Sequence, residues 1–114
     1  MKIYVDGAGW NGRECRFMIA FENGKVVSGY RSEQRTNNEM EYKALIEALK
    51  LAESGDVILS DSMLVVNQVN DRWACRKEHL FRYYIEARNL MEKKKIKVEW
   101  IPREKNLAGR MLEK

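Results

Sequence analysis

The chain opens on Lys2-Ile3-Tyr4-Val5-Asp6, a short run of β-forming residues that reads as a strand and is brought to a stop by Gly7, Gly9 and Gly12. Two further β-branched and aromatic segments, Arg16 to Phe21 and Lys25 to Arg31, flank Glu22-Asn23-Gly24. Asn-Gly tolerates the positive φ of a tight hairpin turn, so these segments are expected to pair antiparallel. The period then changes. From Asn38 to Glu53 the apolar residues Met40, Ala44, Leu45, Ala48, Leu49 and Ala52 recur at helical spacing, and Ser54-Gly55 closes the helix. Val57-Ile58-Leu59 has no polar interruption, as in a central strand buried on both faces. Ser60-Asp61-Ser62 has the composition of a helix start, and Met63 to Val69 forms a short helix behind it. A second long helix runs from Glu78 to Lys93, with Leu80, Tyr84, Ala87, Leu90 and Met91 on one side. Lys97 to Ile101 alternates again as a strand, and a last short helix follows Asn106. Three strands, helix, strand, helices, strand, helix predict an α/β fold. Its sheet is mixed, led by an antiparallel meander, with helices packed on its faces.

Composition bounds this reading without changing it. With 114 residues, 45% hydrophobic and 33% charged, the chain can bury a core and is not of disordered type. No linker, repeat or low-complexity stretch divides it, so residues 1–114 are expected to form one domain, and a monomer is expected. No apolar run approaches membrane-spanning length and no secretory signal is evident, so no membrane partner and a cytoplasmic address are expected. Cys15 and Cys75 lack the spacing of a metal–thiolate site and are expected to be free thiols. The net charge of +4 and the pI of about 9.1 suit a polyanionic partner such as nucleic acid.

Three acidic residues carry the candidate chemistry. Asp6 ends the first strand, Glu41 shares a helical face with Leu45, Ala48 and Ala52, and Asp61 directly follows the buried run at 57–59. Taken singly, each has an ordinary explanation: a turn residue, an answer to the helix dipole, a helix cap. Taken together, they are carboxylates at the edge of buried structure, where mutual repulsion and desolvation raise their energy. A divalent cation removes both penalties. Oxygen-only ligands suit Mg²⁺, with Mn²⁺ as a substitute. Two such ions can activate a water and stabilise the leaving oxygen in phosphodiester cleavage.

At these residues the sequence resembles the type 1 ribonuclease H family. Tyr4-Val5-Asp6-Gly7-Ala8 is similar to its first-strand motif, and Thr36-Asn37-Asn38-Glu39-Met40-Glu41 to its TNNxxE motif. Leu59-Ser60-Asp61-Ser62 resembles its central-strand motif, and Trp100-Ile101-Pro102-Arg103-Glu104-Lys105-Asn106 its closing stretch. The resemblance implies the family's five-stranded mixed sheet with helices on both faces. It implies an endonuclease that hydrolyses the RNA strand of RNA–DNA hybrids with two Mg²⁺ ions, leaving a 5′-phosphate and a 3′-hydroxyl. Asp6, Glu41 and Asp61 would be the catalytic and metal-binding carboxylates. Gly7, Asn37 and Asn38 would contact the hybrid, the two amides reading base edges and the 2′-hydroxyl in the minor groove.

The sequence also departs from the family. The family's fourth carboxylate is an Asp four residues after the closing Asn, and that count from Asn106 falls on Arg110, which would either repel cations or bind the scissile phosphate. The family's mobile histidine is missing from the loop Pro102 to Lys105. His79, the only histidine, lies elsewhere, at a helix start. The segment from Asn70 to His79 is too short for a large basic protrusion, which leaves Trp73, with Arg72, Arg76 and Lys77, as a smaller substrate handle. The alternative reading is a catalytically weak or inactive domain of the same fold that binds hybrid or other nucleic acid.

Overall fold

The structure is a computed structural model and describes residues 1–113. Five strands form one sheet: β1 (Lys2–Ala8), β2 (Cys15–Phe21), β3 (Val26–Arg31), β4 (Val57–Ser60) and β5 (Lys97–Trp100). Their spatial order is β3-β2-β1-β4-β5. β1, β2 and β3 pair antiparallel as a meander, while β4 pairs parallel with both β1 and β5. The helices are α1 (Asn37–Leu51), α2 (Met63–Val69), α3 (Glu78–Lys94) and α4 (Leu107–Leu112), with a 3₁₀ turn at Arg103–Lys105. The expected α/β architecture is therefore the observed one.

Alternation along the strands divides the two faces. Ile3 and Val5 of β1, Ile19 and Phe21 of β2 and Ile58 of β4 point into the main core, with Leu45, Ala48 and Leu49 of α1 and Leu80 and Ala87 of α3. The intervening residues face the other way, where α4 lies. Arg16 there donates through Nη2 to the Leu112 carbonyl at 2.8 Å. One buried polar contact ties the main core together. The Tyr42 hydroxyl donates to Gln68 Oε1 at 2.6 Å, and Gln68 Nε2 donates to the Ala74 carbonyl at 3.4 Å. Each group is satisfied, which avoids the roughly 1–3 kcal/mol cost of a lone buried polar atom.

Local chemistry sets the ends of the elements, and several differ from the sequence reading by one or two residues. β1 does not stop at Gly7 but continues to Ala8, because Gly7 and Ala8 stay in register with Phe17 and Arg16 of β2. α1 starts one residue early and ends at Leu51 rather than Glu53. Ala52 is already extended, and the Glu53 N–H donates to Asp56 instead of continuing the helix. The open carbonyls at that end are closed by Lys94, whose Nζ donates to Leu49, Lys50 and Ala52 at 2.9, 2.7 and 3.1 Å. β5 ends at Trp100, one residue short of the reading, although the Ile101 N–H still donates to the Ser60 carbonyl.

No described helix is long and apolar enough to cross a membrane. Cys15 and Cys75 are free, and Cys15 is buried.

Candidate active site

The parallel pairing of β1 with β4 puts the carboxyl ends of two central strands side by side. Asp6 lies in β1, and Asp61 follows β4 immediately. Asp6 alternates away from Val5 and so leaves the main core, yet it is almost wholly covered, at 1% exposure. Glu41 arrives from the first turns of α1. That helix approaches β1 closely because Gly7 has no side chain: a Cβ there would overlap the Met40 carbonyl group. The Gly7 N–H donates to Glu41 Oε1 and fixes the carboxylate at the strand end. Oxygens of Asp6, Glu41 and Asp61 lie within 4.8 Å of one another, so the structure brings together the three acids singled out by sequence.

The electrostatics of the cluster follow from this crowding. Burial pushes the Glu41 carboxyl up to about 9, and the neighbouring Asp6 adds to the rise. Burial also raises Asp6, with the charge of Asp61 adding to it, against the opposing pull of the Glu41 hydrogen bond and the Arg103 guanidinium. Crowded carboxyls at a strand end are poised to take up a cation or to hold protons.

Two residues beyond the three acids complete it, and one of them, Arg103, was not expected there from sequence. Asn106 is fully buried. Its Nδ2 donates to the Val5 carbonyl at 2.9 Å and to Asp61 Oδ2 at 2.8 Å, while its Oδ1 accepts from the Ala108 N–H at 3.1 Å. One side chain thus caps α4, grips β1 and orients Asp61. The second is Arg103, on the 3₁₀ turn. Its Nη1 lies 3.2 Å from Asp6 Oδ2 and 3.3 Å from Asp61 Oδ2, and its Nη2 lies 3.0 Å from Glu113 Oε1. Burial opposes its charge, but Asp6, Glu113 and Asp61 outweigh that and raise its pKa. The clue in the sequence was the loop Pro102 to Lys105 itself, which lacks histidine but carries an arginine.

The remaining expected residues are placed as follows. Arg110 does not occupy the place of a fourth acid beside the cluster. It is exposed and donates to the Glu104 carbonyl. The face of α4 turned to the carboxylates belongs to Gly109, where a Cβ would lie 3.3 Å from Asp6 Oδ2 and 3.6 Å from Asp61 Oδ2. Successive helical residues are about 100° apart, so Arg110 is turned away from the side that Gly109 presents. Gly7 is turned to α1, where the missing side chain permits the close strand–helix approach. Asn37 Oδ1 accepts from the Gly9 N–H at 2.6 Å and fastens the loop after β1, while Thr36 and Glu39 form the reciprocal cap of α1. Asn38 makes no side-chain hydrogen bond among the described residues. Trp73 is 47% exposed and is not a core residue. His79 is exposed on α3, an element that supplies none of the three acids.

The model of the reverse transcriptase-like family matches residues 7–113. Among curated proteins, the chain is 41% identical over 81 residues to a ribonuclease H of Caldicellulosiruptor saccharolyticus, covering 62% of this chain and 52% of that protein. It is 38% identical over 76 residues to the bifunctional protein Rv2228c of Mycobacterium tuberculosis, covering 62% of this chain and 21% of that protein. The chain thus spans between about a fifth and a half of the length of these relatives. Among solved structures, the N-terminal RNase H domain of the same mycobacterial protein superposes with a TM-score of 0.78 at 29% identity, covering 96% of this chain and 87% of that one. LC11-RNase H1 in complex with an RNA/DNA hybrid superposes with a TM-score of 0.77 at 27% identity, covering 97% and 91%.

Proposed function

The chain belongs to the reverse transcriptase-like family, among its type 1 ribonuclease H members, and from that premise we propose that it hydrolyses the RNA strand of RNA–DNA hybrids with divalent ions, leaving a 5′-phosphate and a 3′-hydroxyl. The observation that carries this reading is the meeting of Asp6, Glu41 and Asp61 within 4.8 Å. A set of oxygen donors that already draws a guanidinium fits a hard divalent cation, with Mg²⁺ as the natural ion and Mn²⁺ as its substitute. Bound there in a pair, such ions would lower the pKa of the attacking water and neutralise charge on the phosphate.

The chain's own residues supply the positioning. Asp6 in β1 and Asp61 just after β4 would hold the ions from neighbouring strands, the separation of the two carboxylates being fixed by the sheet. Glu41, anchored by the Gly7 N–H, would hold one ion and orient the 2′-hydroxyl of the scissile nucleotide. Asn106 keeps the Asp61 carboxylate turned inward. Asn38, whose amide has no described partner, reads the minor groove beside Asn37, and exposed Trp73 packs against the flanking strand. Arg110 gives a basic rim beside α4 for the phosphate backbone. No side-chain nucleophile is required.

One observation favours the second reading, a domain that binds hybrid without turning it over. Gly109 offers no carboxylate on the face of α4 that meets the cluster. The two readings separate in one assay. End-labelled hybrid, duplex DNA and duplex RNA are incubated with Mg²⁺, and with Mn²⁺ in parallel. Cleavage confined to the RNA strand of the hybrid, with 5′-phosphate products, is the expected result. Hybrid binding without cleavage under either ion establishes the second reading instead.

A further inference from the structure

Arg103 is the one basic side chain among the described residues that touches the carboxylate cluster, and its geometry is unusual for an ion pair. Arginine normally meets a carboxylate as a fork, two nitrogens on two oxygens at about 2.7–2.9 Å. Here a single nitrogen, Nη1, is shared by all four oxygens of two acids, at 3.3 and 3.2 Å from Asp6 Oδ1 and Oδ2 and at 3.4 and 3.3 Å from Asp61 Oδ1 and Oδ2. Nη1 sits where a bridging point charge would sit, and none of its four contacts is short. The seat exists because α4 presents Gly109 at this point, where a Cβ would come within 3.6 Å of the guanidinium carbon. Nη2 is retained from outside by Glu113, at 3.0 Å. The arginine enters from the open side and is 51% exposed, whereas Asp6 and Asp61 are 1% and 9% exposed.

We propose that Arg103 is a built-in, displaceable counterion: it fills the cation seat between Asp6 and Asp61 in the metal-free protein, and divalent ions load only as it withdraws. The inference rests on the reading of the three acids as a metal site. Its physical basis is competition for the same oxygens. Two buried carboxylates without a cation are costly unless protons or a positive charge relieve them, and the guanidinium between Asp6 and Asp61 supplies that charge. A guanidinium held by four long contacts on its exposed side is easily exchanged for an ion that binds at about 2.1 Å. The glycine and the arginine then act as a pair. Loss of a side chain at 109 makes room for the internal cation, and Glu113 gives the departing nitrogens a partner outside.

The test is calorimetric titration of Mn²⁺ into the full chain without substrate, comparing wild type, Arg103→Gln and Arg103→Lys. Arg103→Gln is expected to bind Mn²⁺ roughly tenfold more tightly, because no charge has to be driven out. Its melting temperature in chelator is expected to fall, and Mn²⁺ to raise it by more than in wild type. Arg103→Lys, which keeps the charge, is expected to stay within about threefold of wild type. Unchanged or weaker Mn²⁺ binding by Arg103→Gln overturns the inference, as does an equal gain in the lysine variant. Those results leave the nuclease reading standing if hybrid is still cleaved. Failure of all three proteins to take up Mn²⁺ overturns both.

Discussion

Asp61→Asn is expected to reduce hybrid cleavage by roughly 10³-fold while leaving the protein folded. The side chain is 9% exposed and accepts from Asn106 Nδ2 at 2.8 Å, and an asparagine can keep that contact through its amide oxygen. The neutral amide removes one of the crowded charges, so the melting temperature in chelator should stay close to wild type. What is lost is a ligand with full negative charge at the end of β4, in the middle of the proposed ion seat. Cleavage and thermal denaturation measured on the same preparation separate the two effects. Cleavage within tenfold of wild type, with the fold intact, contradicts the assignment of Asp61 as a metal ligand. Loss of cleavage together with collapse of the melting transition assigns it a structural role instead.

The second large effect is in pH. Glu41 is pushed up to about 9 in the folded protein from an ordinary value of 4.5. Between those limits the folded state holds a proton that the unfolded chain has released. The stability of the metal-free protein that depends on this proton is therefore fully present below about 4.5, and it is lost as pH rises toward 9. Asp6, raised in the same sense, adds to the decline. Asp56, lowered chiefly by the Glu53 N–H, acts only on the acid side and does not offset it. A divalent ion requires ionised carboxylates, so its binding expels the proton and grows stronger with pH. Melting curves in chelator should fall from pH 6 to pH 9, while those in saturating Mg²⁺ should not, and Glu41→Gln should flatten the chelator series. Parallel curves with and without Mg²⁺ contradict this account.

Much of the molecule was legible in the residue pattern for definite reasons. Helical period located the two long helices, β-forming and apolar residue types the strands, cap-like residues the short helices, and Asn23-Gly24 the hairpin, with Gly24 at φ 96°. The ends were less legible because they depend on tertiary partners. Gly7 reads as a stop in isolation, but β2 holds it in the sheet. The end of α1 is decided by Lys94 and Asp56, from distant parts of the chain. The same division runs through the site. Asp6, Glu41 and Asp61 were visible because each is an acid set against buried structure. Arg103 was marked only by its place in the Pro102–Lys105 loop, and its contact with Asp6 needs the tertiary fold that brings that loop back over β1. That Gly109 is the α4 residue facing the acids depends on where Asn106 caps the helix, which the sequence alone does not set.

Anomalous diffraction from crystals soaked in Mn²⁺ tests the metal site most directly. Ion density is expected about 2 Å from oxygens of Asp6, Glu41 and Asp61, with the Arg103 guanidinium withdrawn from between the aspartates. Saturating Mn²⁺ that leaves no density among those oxygens, with the guanidinium still in its place, contradicts a metal site there.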